Sequence, residues 1–248
     1  DVFRVGDGPA GSYEKYNRSN VGQMTLDGIS LQKAERVYPK YVYMNNFREG
    51  TDANAVWKAN WKIENVLGQI TYGSKMMLNM FDVTNGEKVY VCDTWVPPSM
   101  SMKSQGHEGF WIPTVITEKT VGEGETVTFA GVMEPCAREK SFITDVQRYP
   151  CLSVKDGSEQ DGHVAIAVKT TNGCTDIIIL LDPDAPVAGG VSVDTPVGPI
   201  ETDGQACLVR YDEKGNPMLI RASGGTYIKT GDALHVLHEG DDVTAYDF

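Results

Sequence analysis

The stretch HVAIAVKTTNGCTDIIILL, residues 163–181, decides the fold class of this chain. Runs rich in β-branched residues flank Asn172-Gly173, and a tight primed turn needs the positive φ that Asn and Gly adopt most readily. The pattern recurs in MLNMFDVTNGEKVYVC at residues 77–92 and in ACLVRYDEKGNPMLIRA at residues 206–222. The sequence therefore predicts three hairpins in an all-β, antiparallel chain, which excludes most enzyme folds built on βαβ crossovers.

Composition narrows the class of protein and of partner. The chain has 248 residues, of which 41% are hydrophobic, so it can bury a sizeable globular core. No apolar run approaches the roughly 18 residues that a membrane helix needs, and we expect no membrane span. The formal net charge is −12. A chain this acidic has no general attraction for nucleic acid, which argues against that partner.

The predicted organisation is a large β-sandwich over residues 1–155 and a smaller C-terminal β-sheet layer over residues 156–248. The polar stretch at residues 154–162 separates them, as two domains or within one continuous antiparallel supersandwich. Helical periodicity is scarce, and only residues 29–37 and 141–148 favour one or two helical turns. The chain opens on the strand-like DVFRV without an initiator Met, so we expect a processed or truncated product with a segment upstream.

The five cysteines form no CxxC pair, and an odd number cannot all be paired. Cys92 and Cys207 lie inside apolar strand patterns, which predicts buried thiols that act as small hydrophobic residues. A disulfide between Cys136 and Cys151 is an alternative for an exported protein.

Six segments form an ordered set along the chain: DVFRVGDG at 1–8, MNNFREG at 44–50, WKANW at 57–61, TFAGVMEP at 128–135, ETDGQACLVR at 201–210 and GGT at 224–226. In this order the set resembles the C-terminal β-sandwich region of the heparinase II/III-like polysaccharide lyases, which include related alginate lyases. The resemblance runs over nearly the whole chain, and the order of the segments carries it.

The resemblance implies an α/α-toroid domain upstream in the same polypeptide, an acidic polysaccharide as partner, and a periplasmic or secreted location. Such enzymes cleave uronic-acid polysaccharides by β-elimination, in which a base removes the proton α to the carboxylate and an acid protonates the leaving oxygen. The toroid supplies much of this apparatus, so we expect the isolated chain to be inactive. Family members often carry His after the opening glycine turn, whereas residues 11–18 contain none.

An aromatic and basic group near the start holds the first candidate site residues: Tyr13, Lys15, Tyr16 and Arg18. Aromatic faces stack on sugars, and cations hold carboxylates, so Lys15 and Arg18 are candidates for substrate binding. A Tyr whose pKa is lowered by nearby cations can act as an elimination acid or base, which makes Tyr13 and Tyr16 catalytic candidates. The alternative is an ordinary Tyr-rich β loop.

A long predicted surface loop between residues 95 and 109 carries His107, a third catalytic candidate, and leads to Trp111, a third candidate for substrate binding. The alternative is a loop held by packing of its aromatic residues. Trp57 and Trp61 share one face of a predicted strand. They either grip a glycan or, as we prefer, belong to the core.

His235 and His238 belong to the one cluster in which His and carboxylates stand together, and both residue types are zinc ligands. Residues three apart in a strand face opposite sides, so we predict no metal at these positions. Asp182-Pro183-Asp184 could contribute to a calcium site, although a turn stiffened by Pro is the interpretation we prefer. We therefore expect no cofactor, and zinc and calcium are the two alternatives.

Overall fold

The computed structural model describes residues 23–34, 44–51, 53, 56–62, 76–96, 100, 110–137, 140–237 and 243–248. In this part of the chain, nineteen strands follow one another: β1 Gln23–Asp27, β2 Ser30–Lys33, β3 Met44–Thr51, β4 Trp57–Lys62, β5 Met76–Asp82, β6 Lys88–Val96, β7 Phe110–Glu118, β8 Gly131–Ala137, β9 Ile143–Tyr149, β10 Leu152–Ser153, β11 Val164–Thr170, β12 Thr175–Leu180, β13 Val191–Thr195, β14 Gly198–Thr202, β15 Ala206–Tyr211, β16 Pro217–Ser223, β17 Tyr227–Thr230, β18 Ala233–Val236 and β19 Thr244–Asp247.

The strands form four antiparallel sheets, which we label A to D. Sheet A has the order β1-β4-β5-β8, and sheet B has the order β2-β3-β6-β7. Sheet C has the order β19-β16-β15-β12-β11-β9, and sheet D has the order β10-β13-β14-β17-β18. The predicted all-β, antiparallel sandwich class is confirmed.

Contacts along the chain group it into two compact units. The first takes in the residues up to Thr120 together with Gly131–Ser141, and the second takes in Val121–Ala130 together with Phe142–Phe248. Sheets A and B lie in the first unit, and sheets C and D lie in the second. The domain boundary near residue 155 stays a prediction, although β9 and β10, which precede it, pair with strands of sheets C and D.

The first unit has its core between sheets A and B. Trp57, Ala59 and Trp61 of β4 pack with Val89 and Val91 of β6. Alternate residues of a strand face opposite sides, so this one period-2 pattern brings both tryptophans to the inner face. The core interpretation of the tryptophan pair is confirmed, and its use as a flat glycan platform is wrong.

The second unit has a separate core between sheets C and D. Ile177 and Ile179 of β12 belong to the same buried cluster as Val193, Ile200 and Ile228 of sheet D. Each of these side chains is almost wholly removed from water. Burial on this scale stabilises the unit by roughly 1.5–3 kcal/mol for each large aliphatic side chain, relative to leaving it exposed.

Two of the three predicted hairpins are confirmed, since β11 pairs with β12 and β15 pairs with β16. The third is wrong. β5 pairs with β4 and β8, whereas β6 pairs with β3 and β7, so the two strands belong to different sheets. Residues 83–87, which we call the arch, connect them. Val83 and Thr84 are almost fully buried, so the arch begins in the interior of the unit rather than on its surface.

Both short helical predictions are wrong. Residues 30–33 form β2, which pairs with β3, and residues 143–149 form β9, which pairs with β11. One or two helical turns do not repay the cost of nucleation, and strand pairing buries residues such as Val146 instead. Within the described residues, no helix has the length and hydropathy that crossing a membrane requires.

Candidate functional site

A row of polar side chains crosses sheet A on the face opposite its core. Asn60, Asn79 and Glu134 are cross-strand neighbours on β4, β5 and β8. Asn60 Nδ2 donates to Asn79 Oδ1, and Asn79 Nδ2 donates to Glu134 Oε2 at 2.7 Å. Ser141 Oγ donates to the same carboxylate oxygen, also at 2.7 Å. Neutral donors therefore hold a carboxylate that is only 7% exposed, which offsets the cost of removing it from water.

Cys136 stands beside this row, with its Sγ 3.5 Å from Asn79 Nδ2. Burial raises the pKa of the Cys136 thiol, and the Glu134 carboxylate adds to the rise, while Lys58 opposes it. The thiol is therefore a poor nucleophile, because the thiolate is the reactive form. The row links strands β4, β5 and β8 through side-chain hydrogen bonds.

A second polar group surrounds the arch. Trp57 Nε1 donates to Glu87 Oε1 at 3.0 Å, and the backbone N–H of Thr84 donates to Asp82 Oδ1 at 2.9 Å. Glu87 Oε2 is buried without a hydrogen-bond partner. Burial raises the pKa of Asp82, against the bonds from Thr84, and the neighbouring Glu87 carboxylate raises it further. A proton held on Asp82 would supply the donor that two carboxylates lack.

Among the described residues of the second unit, His163 is the buried histidine. Its Nδ1 accepts a hydrogen bond from the backbone N–H of Asp182 at 2.9 Å. Burial lowers the pKa of His163, although Asp182 opposes the change. Because Nδ1 accepts this N–H, the imidazole is neutral and carries its proton on Nε2. Asp182 Oδ1 in turn accepts from the N–H of Asp184 at 2.9 Å, which fits the predicted Pro-stiffened turn.

Three tyrosines of the second unit have pKa values moved away from elimination chemistry. Burial raises the pKa of Tyr211 to about 12. The pKa of Tyr149 is raised by burial and by Asp145, and that of Tyr227 by burial and by Asp203. A base in a β-elimination needs the opposite shift, so these hydroxyls serve packing and hydrogen bonding.

The described cysteines are free thiols, so Cys136 and Cys151 do not form the disulfide that was the alternative for an exported protein. Cys92 and Cys207 are buried in strands, as predicted. Burial raises the pKa of Cys92, Cys151 and Cys207 to about 11 in each case. In the described part of the chain, no three His, Cys, Asp or Glu side chains gather as a metal site would require.

Most of the site residues predicted from the sequence lie outside the described residues: Tyr13, Lys15, Tyr16, Arg18, His107 and His238. Trp111 is the second residue of β7 and pairs with Trp95 of β6, although its side chain is not among those described. The predicted 95–109 loop therefore starts later than expected, because Trp95 and Val96 still belong to β6.

His235, an alternative zinc-ligand candidate at which we predict no metal, lies within the described residues. It lies on β18 opposite Ile228, and its Nε2 is 3.4 Å from Thr230 Oγ1. Its ring centroid is 5.1 Å from that of Tyr246 and 5.6 Å from that of Phe248. The imidazole therefore packs in an aromatic group on the inner side of sheet D, since Ile228 belongs to the core.

Sequence reasoning missed the polar row and the arch carboxyls. One signal was present, because Asn79 interrupts the apolar run MMLNMF, and a polar residue inside a buried strand needs a partner. Comparison with protein-family models, with curated proteins and with solved structures found no match to this chain.

Proposed function

We propose that this chain is the β-sandwich region of a polysaccharide lyase that cleaves uronic-acid polysaccharides by β-elimination. In this proposal it supports an upstream α/α-toroid domain, which supplies the catalytic groups, in the periplasm or outside the cell. The ordered set of sequence segments supports the family, and an all-β chain of paired sheets is the fold that the family implies.

One observation carries the supporting rather than catalytic role. The described histidine and tyrosines with shifted pKa values are held in packing: His163 accepts a backbone N–H, and Tyr211 is buried with its pKa raised to about 12. Groups tuned for β-elimination would exchange a proton near neutral pH and face the substrate. The described strands therefore suit a scaffold.

The test measures the unsaturated uronate product by its ultraviolet absorbance on heparan, chondroitin and alginate. We expect no turnover by this chain alone and turnover by the polypeptide that includes the upstream toroid. Within that polypeptide, Tyr16→Phe should lower kcat if Tyr16 lines the cleft, and Tyr211→Phe serves as the matched control from the core. Rapid turnover by the isolated chain would contradict the supporting role.

A free-standing carbohydrate-binding or structural module of an exported protein is the second candidate. The separate buried cores of the two units favour it, since each unit has the interior of a self-sufficient sandwich. The net charge of −12 opposes binding of an acidic polysaccharide. Retention of the isolated chain on a neutral rather than an acidic glycan column, without turnover in any context, would favour this alternative.

A further inference from the structure

The tripeptide Thr-Asn-Gly occurs twice, as Thr84-Asn85-Gly86 in the arch and as Thr171-Asn172-Gly173 between β11 and β12. We propose that Asn85 is a site of spontaneous deamidation and that the fold protects Asn172 from the same reaction. The local sequence is the same at both sites, so the difference must come from how the structure holds each asparagine.

The reaction joins the backbone nitrogen of the following glycine to the side-chain carbonyl carbon of the asparagine. The new N–Cγ bond closes a five-membered succinimide as the Cγ–Nδ2 bond breaks, and ammonia leaves with the proton from the glycine nitrogen. Water then opens either carbonyl of the ring, which gives aspartate or isoaspartate. The reaction needs a glycine N–H free to attack and an amide side chain free to turn.

The fold withholds both groups at Asn172. Thr170 Oγ1 donates to Asn172 Oδ1 at 2.6 Å, and the N–H of Cys174 donates to the same oxygen at 3.3 Å. The attacking nitrogen is also engaged, because Gly173 N–H donates to Thr170 O at 3.0 Å. Forming the succinimide here breaks these hydrogen bonds before any covalent bond is made.

The fold leaves both groups free at Asn85. Asn85 and Gly86 are exposed, and both have positive φ, at 62° and 69°. Lys119 Nζ donates to the backbone oxygen of Asn85 at 2.9 Å. Among the described residues, neither the Asn85 side-chain amide nor the Gly86 N–H has a hydrogen-bond partner. A Cβ placed on Gly86 would meet nothing within 4 Å, so the space beside this residue is open.

The test follows both sites in one sample of the full chain during incubation in mildly alkaline buffer. Peptide mapping by mass spectrometry measures conversion, and methyl transfer by an isoaspartyl methyltransferase reports isoaspartate. In the folded protein we expect Asn85 to convert many-fold faster than Asn172. In the chain unfolded by urea, both should convert at similar rates. Equal rates in the folded protein, or a faster Asn172, would overturn the proposal.

Thr170→Val removes the hydroxyl that holds Asn172, and Thr170→Ser keeps it as the matched control. We expect Thr170→Val to speed conversion at Asn172 several-fold and Thr170→Ser to leave it slow, with Asn85 unchanged in both. If Thr170→Val unfolds the chain, the wild-type comparison of folded with unfolded protein still decides the matter. Slow conversion at Asn172 in a folded Thr170→Val protein would show that its side-chain bond offers no protection.

Discussion

The two units place the same turn chemistry in different settings. In the second unit, Asn172-Gly173 closes a hairpin whose strands β11 and β12 pair directly. In the first unit, Asn85-Gly86 has the positive φ values of a primed turn, yet β5 and β6 on either side lie in different sheets. A turn dipeptide thus determines where the chain reverses, and burial of the flanking residues determines what it pairs with.

The two turns differ in the burial of the residues that precede them. Thr171 and Asn172 are exposed, so the hairpin loop runs over the surface. Val83 and Thr84 are buried at 0% and 1% exposure, so the arch starts inside the first unit. Facing sheets lie about 10 Å apart, and three extended residues span roughly that distance. In the first unit, the buried residues before the turn therefore carry the chain from sheet A to sheet B.

The largest expected effect comes from a substitution in one of the two cores, which should destabilise that unit first. Trp57→Ala removes a fully buried side chain and the partner of Glu87, and we expect it to lower the free energy of unfolding by about 3–5 kcal/mol. Hydrogen exchange should show lost protection in sheets A and B first. Ile220→Ala, in the second core, is the matched control and should expose sheets C and D first. Identical exchange patterns for the two variants would show that the units unfold as one.

A pair of glycine substitutions separates backbone conformation from crowding. Gly190 has φ +85°, and an added Cβ would lie 2.3 Å from the backbone oxygen of Thr202. Gly86 has φ +69° and open space around it. Gly86→Ala should cost about 1–2 kcal/mol, the cost of a left-handed non-glycine residue. Gly190→Ala should cost clearly more, as read from urea unfolding midpoints, and equal costs would contradict the crowding argument.

Two carboxyl groups should make contributions to folding stability whose pH dependences have opposite sign. Burial raises the folded pKa of Asp82 in the arch, so its contribution to stability is present below the unfolded pKa and is lost as pH rises through the folded pKa. Hydrogen bonds from Asn216 lower the folded pKa of Asp212 in the β15–β16 turn. That contribution is present above the unfolded pKa and is lost as pH falls through the folded pKa.

The measurement is the urea midpoint of Asp82→Asn and of Asp212→Asn between acid and neutral pH. Asp82→Asn keeps the Oδ1 acceptor for Thr84 but has no carboxyl to ionise. Its urea midpoint should therefore rise relative to that of the wild type as pH rises. The urea midpoint of Asp212→Asn should fall relative to that of the wild type over the same pH range. A urea midpoint for Asp82→Asn that stays parallel to that of the wild type would show that the arch does not penalise a charged Asp82.

The smallest expected effect concerns the ion pair on sheet C. Arg210 Nε and Nη2 each lie 2.7 Å from an oxygen of Asp176. The Arg210 side chain is 42% exposed, so solvent screens the pair. A double-mutant cycle with Arg210→Gln and Asp176→Asn should give a coupling of about 0.2–1 kcal/mol that shrinks in high salt. A coupling that salt does not change would indicate a pair shielded from solvent.

The sequence predicted where the chain turns but not which strands pair with each other in every case. Gly86, Gly173 and Gly215 all have positive φ, as the turn residues predict. Asn172 does not, so the β11–β12 turn is not of the primed type. The partners of β5 could not be predicted, because β8 follows much later in the chain and pairing depends on which faces distant residues cover. The two confirmed hairpins needed no such knowledge, since their strands are neighbours in sequence.

The candidate site was less accessible to sequence reasoning than the fold. Asn79 marks a buried polar position within an apolar strand, but its bond to Glu134 depends on the register of β5 against β8. The raised pKa of Asp82 likewise depends on burial that only the folded unit provides. The predicted roles of Tyr13, Tyr16 and His107 stay predictions.

The grouping of residues into units has a consequence for how the chain is made. Sheet A is completed by β8, which follows residues 121–130 of the second unit. No single cut of the polypeptide therefore yields the two units intact. During synthesis, β5 waits with an unpaired edge until Gly131–Ala137 has left the ribosome, and an open strand edge is prone to aggregation. A chaperone that shields this edge would raise the yield of the first unit more than that of the second.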